Sequence, residues 1–162
     1  MDAERRSVAF DVSLAVVLTL LLQLSVWFGE GEGEVFELKP LSAALMLLLT
    51  VPLVWRRRAP LAVAACNGFG RAAQALATGS WVATHGITLP TIVTLYSAGA
   101  YGRGSRAWLG LGLVVGGLTV AAAYDIPETE ADLWNGLFFY LLAVLVFAVG
   151  AVRAWPAAVG RA

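Results

Sequence analysis

Six apolar stretches, parted by short segments that hold nearly all the charge, leave this chain few ways to fold. Of its 162 residues 59% are hydrophobic and 14% charged, and the mean hydropathy is +0.77. Polar surface is too scarce to coat a water-soluble globule. The expected fold is all-α, a polytopic membrane helix bundle forming one domain over residues 1–162, with the lipid bilayer as its first partner.

The runs predict spans near residues 8–28, 40–55, 60–78, 82–101, 107–124 and 133–152. Val12 to Phe28 holds no charge, and with its flank it suffices to cross ~30 Å of hydrocarbon. Trp27 and Phe28 end it as an interfacial anchor, unlike a signal peptide's cleavage site. Pro40 and Pro60 suit first helical turns. The fourth run contains Gly86 and Pro90, so a regular helix is expected only from about Pro90 onward.

Arginine placement sets orientation. Arg5 and Arg6, Arg56 to Arg58, Arg103 and Arg106, and Arg153 and Arg161 fall in alternate connecting segments or at the ends. The other segments hold Lys39 with Glu30, Glu32, Glu34, Glu37, Asp125, Glu128, Glu130 and Asp132. By the positive-inside rule the arginine side is cytoplasmic, with both termini inside.

The same pattern narrows chemistry. Net charge is zero and basic residues sit in topological clusters, so nucleic acid is not an expected partner. Cys66 lies alone in an apolar run and reads as a packing residue. His85 has no second histidine with which to build a metal site or triad. The glutamates of the first outer segment alternate with flexible residues and read as solvated rather than as a cation cage. No cofactor and no catalytic constellation is expected.

Inside the bilayer, Asn67, Arg71 and Gln74 recur at i, i+4 and i+7 and share one stripe of the third helix. From Pro60, Arg71 rises ~16 Å, close to mid-membrane, where an unpaired cation costs at least ~2.5 kcal/mol. Gln23, Thr50 and Thr94 are expected at a suitable height to help, while Asp11 is expected too near the cytoplasmic face. Arg71 is then satisfied by amides and carbonyls, snorkels, or meets an anionic ligand or headgroup. In the fifth run, Gly112 and Gly116 have the spacing that lets helices approach closely, either within the chain or across a homodimer.

Val51-Pro52-Leu53-Val54-Trp55-Arg56-Arg57-Arg58-Ala59-Pro60-Leu61, with Leu95-Tyr96-Ser97-Ala98-Gly99 before a short arginine turn, resembles the N-terminal membrane region of actinobacterial sensor histidine kinases. The resemblance implies a bundle of short helices that feeds a cytoplasmic signalling partner, fused or separate. Physically, Trp55 suits the headgroup level, and Arg56, Arg57 and Arg58 suit lipid phosphates as a membrane anchor. No kinase motif is present, and Pro156 is expected to interrupt the last helix. The expected function is therefore a membrane sensor or anchoring module without a catalytic core. The alternatives are a small transporter subunit and a membrane scaffold.

Overall fold

A computed structural model of the chain describes residues 2–28, 39–78, 88–123 and 130–159. The described residues are helical, with no strand among them. The helices are α1 (Asp2–Phe28), α2 (Lys39–Thr50), α3 (Pro60–Thr78), α4 (Thr88–Tyr101), α5 (Ser105–Ala122) and α6 (Glu130–Val159). A 3-10 helix, Val51–Trp55, extends α2. Pro52 explains that change of winding. It has no N–H to give to Leu48, and its ring would press on that carbonyl in an α-helix.

Among the described residues, length and apolarity qualify three segments to cross a membrane, Arg5–Phe28, Ser105–Ala122 and Gly136–Ala154. The run Lys39–Trp55 is apolar but shorter. The outer surface agrees with a lipid environment. On α1, Asp11, Ala15, Leu18, Leu22 and Val26 form one buried stripe, while Val12, Val16, Leu20 and Leu24 are exposed. On α6, Ala143, Phe147 and Gly150 turn inward, and Leu141, Val144, Leu145 and Val152 turn outward. Apolar surface of that extent on both flanks would not be stable in water.

The most intimate pairs are α3 with α5 and α4 with α6, while α1 lies against α2 and its 3-10 extension. Backbones touch in both central pairs. A Cβ on Gly117 would fall on the Gly68 carbonyl, and one on Gly68 would fall on that of Leu113. Gly99 and Gly150 play the same part between α4 and α6, each facing the other helix's backbone. Small residues permit this approach, and close dispersion contact drives helix association where lipid offers no hydrophobic gain.

Two expectations are corrected. Gly112 and Gly116 do not pack helices together within the chain; a Cβ at either would meet nothing of it within 4 Å. They lie on the far side of α5 from the buried Gly110, Val114 and Gly117. Pro156 does not end α6, which continues to Val159. A proline costs its own hydrogen bond and strains the preceding turn, but a flanking helix can carry that locally. α4 starts at Thr88, two residues before Pro90, so Pro90 sits in its first turn, where a missing N–H breaks no helical bond. His85, the acidic residues 30–37, Asp125 and Glu128 lie outside the described residues.

Candidate functional site

Two polar assemblies interrupt the apolar interior. The first lies between α3 and α4. Arg71 is buried, and its Nε and Nη2 donate to Thr91 Oγ1 at 3.0 and 2.9 Å. Thr91 in turn donates to Asn67 Oδ1 at 3.2 Å. Asn67 and Arg71, one turn apart, thus present amide and guanidinium to a single hydroxyl on the neighbouring helix. Gln74 is buried on the same face of α3.

Among the described residues, no carboxylate pairs with Arg71, and Asn67 Nδ2 has no acceptor. A guanidinium with five N–H donors is therefore met chiefly by a neutral hydroxyl. Thr91→Val removes that acceptor. The expected loss is about 1–3 kcal/mol of bundle stability, read from unfolding midpoints in detergent, because a buried donor is left unmade.

Gln23 does not join this group. Its Nε2 donates to the Ala43 carbonyl at 2.9 Å and ties α1 to α2, because α1 packs on α2 while the Arg71 face of α3 opens toward α4. Thr50 likewise serves the α1–α2 contact, accepting from Thr19 at 2.8 Å and donating to Met46 at 3.0 Å. Thr94 donates to its own helix at the Pro90 carbonyl. Thr91, one turn from the expected Thr94, is the residue that spacing alone missed.

The second assembly lies at the arginine-rich end. Asp11 Oδ1 accepts from Arg56 Nε at 3.0 Å and Nη2 at 2.6 Å, and Oδ2 accepts from Arg57 Nε at 2.6 Å. One carboxylate thus holds two consecutive guanidinium groups, fastening α1 to the start of α3. The Arg56 and Asp11 side chains are 9% and 4% exposed. Arg56 is consequently not a lipid-phosphate anchor, contrary to expectation. The tight 3-10 winding turns it inward, and a buried carboxylate at the same height captures it.

Trp55, Arg57 and Arg58 are exposed at this end. The hydrogen bond that Arg57 donates to Asp11 raises the Arg57 pKa above its ordinary value, partly offset by burial. Its guanidinium lies over the Tyr101 ring at 5.6 Å, and that of Arg56 over Phe10 at 5.6 Å. Tyr96 and Arg153 complete the end, with Arg153 Nη1 donating to the Tyr96 hydroxyl at 3.0 Å. Cys66 is free and half-buried.

Neither assembly holds a nucleophile with a base. Both are chemically suited to hold anions or to fix helices relative to one another. No curated protein and no solved structure matches the chain. A family match spans nearly its whole length: over residues 2–156 the chain belongs to the family described as a domain of unknown function, DUF7134.

Proposed function

We propose that the chain is a six-span membrane domain with both ends in the cytoplasm, acting as the sensing or anchoring module of a signalling protein. It has no catalysis of its own. The observation that carries this reading is the meeting of separated arginine segments at one end of the bundle. Asp11 of α1, Arg56 and Arg57 before α3, Arg103 before α5 and Arg153 of α6 all gather there. An even number of crossings between successive arginine segments produces that arrangement, and the positive-inside rule makes that end cytoplasmic.

The resemblance to sensor-kinase input regions supports the signalling part, together with a mechanical path. Arg71 of α3 grips Thr91 of α4, and α4 meets α6 backbone to backbone at Gly99 and Gly150. α6 continues past its apolar window to Val159. A change at Arg71 is thereby passed through two rigid contacts to the cytoplasmic end of α6, and from there to a fused or separate partner.

Two measurements test the reading. A reporter placed in the Arg103–Arg106 segment should be active only on the cytoplasmic side, and external accessibility overturns the six-span topology. Arg71→Leu should leave the unfolding midpoint unchanged or raised, since an apolar replacement ends the desolvation cost of a buried cation. The same variant should lose any response of α6 residues 152–159 to bilayer thickness, followed by hydrogen exchange in nanodiscs. A response equal to wild type refutes the sensing role.

A further inference from the structure

The arginine-rich end is shaped as well as charged. An open groove of about 1100 Å³ runs between the base of α1, the Arg56–Arg57 segment, the α4–α5 turn and the end of α6. Arg56, Arg57, Arg103 and Arg153 line it with Phe10, Tyr96 and Tyr101, and among the described residues no carboxylate joins that lining. Asp11 is the one acid bonded to these arginines among the described residues. Four guanidinium groups against one carboxylate leave the groove strongly positive.

The donors are held in place. Asp11 engages Arg57 through Nε only, so Nη1 and Nη2 stand outside that bond. Arg153 donates to the Tyr96 oxygen, and that hydroxyl keeps its own proton to donate to a third group. Arg103 is carried by a tight turn in which Gly104 has φ of +53°, a conformation that side chains rarely adopt. Arg103 lies beside this turn and lines the groove together with Arg57.

We propose that this groove binds a phosphate-bearing anion, with Arg57, Arg103 and Arg153 as its cationic ligands and Tyr96 as a hydroxyl donor. Three guanidinium groups and a phenol lining one groove match the several acceptor oxygens of a phosphate group better than they match a single carboxylate. The positive-inside rule puts this arginine end at the headgroup level of a bilayer, where basic pockets between helices suit anionic lipids. A soluble phosphate ester presents the same chemistry. The inference rests on the shape and charge of this end of the bundle, not on the signalling role.

The test uses the full chain in nanodiscs. In neutral phosphatidylcholine, pyrophosphate binding is measured by calorimetry. In parallel, retention of phosphatidylglycerol or cardiolipin is measured by native mass spectrometry after release from mixed nanodiscs. Wild type should bind one of the two classes, and the arm that responds identifies the source. Arg103→Gln/Arg153→Gln should weaken that binding at least tenfold, because each lost charge-assisted bond is worth about that factor or more.

Arg103→Gln alone, at an exposed position that leaves the Arg153–Tyr96 bond intact, should weaken binding in the same direction. Arg5→Gln/Arg106→Gln removes the same charge from exposed sites outside the groove lining and should change binding less than threefold. Equal losses in the two double variants, or no binding in either arm, overturn the proposal.

Discussion

Asp11→Ala should lower the stability of the bundle by about 3–5 kcal/mol, because it strands the buried Arg56 guanidinium without its counter-ion. The Asp11 carboxylate accepts three charged hydrogen bonds from two arginines. Most of the effect belongs to Arg56, since the Arg57 side chain is 38% exposed and water can replace its share. Asp11→Asn should fall between wild type and alanine, because an amide oxygen still accepts one bond but offers no charge.

The informative partner is Asp11→Leu/Arg56→Met. Removing both charges also removes the desolvation cost, so the double variant should recover most of the loss seen in Asp11→Ala. Unfolding midpoints in detergent give the comparison. A loss below ~1 kcal/mol in Asp11→Ala would place this pair among solvated surface ion pairs and remove its role as the fastening between α1 and α3.

That pairing marks a limit on what the sequence discloses. Apolar runs and prolines locate helices well; α3 begins and ends at Pro60 and Thr78 as expected. The height of Asp11 is also legible, and so is that of Arg56. Their union across 45 residues requires knowing that α1 lies against the 3-10 segment, which no local pattern encodes. A search for lone carboxylates level with an arginine cluster would have found it, since burial penalises an unpaired carboxylate as much as an unpaired guanidinium.

The Arg71 site was half legible for a related reason. Periodicity assembles Asn67, Arg71 and Gln74 on one face because they belong to one helix. It cannot say which neighbour supplies the acceptor. Thr91 and Thr94 lie less than a turn apart on α4, so depth alone does not tell which of them faces Arg71; Thr94 instead bonds the Pro90 carbonyl of its own helix. Tertiary packing also decided the fate of Gln23, which donates to the Ala43 carbonyl of α2.

Glycine spacing raises the same question of direction. Gly112 and Gly116 are four apart, as in many close-packed helix pairs, yet they lie opposite the buried face that runs through Gly110, Val114, Gly117 and Ala121. At ~100° per residue, Gly110 and Gly117 fall within about 20° of each other, while Gly112 and Gly116 are about 100° or more from both. Spacing gave two candidate faces, and only the position of α3 chose between them.

The choice predicts unequal costs. Gly117→Leu sets a branched side chain where the Gly68 carbonyl already stands, and Gly68→Leu does so against the Leu113 carbonyl. Because the opposing atoms are backbone, relief requires α3 and α5 to separate, which also disturbs the Ala64–Val114–Leu118 core between them. Each variant should lose about 3 kcal/mol or more, at or above the top of the usual overpacking range. Gly112→Leu and Gly116→Leu meet open space and should change stability by no more than ~0.5 kcal/mol, as exposed substitutions do. An unchanged unfolding midpoint in Gly117→Leu would mean that α3 and α5 do not touch through backbone. A large loss in Gly112→Leu would instead show that another chain covers the outward face of α5.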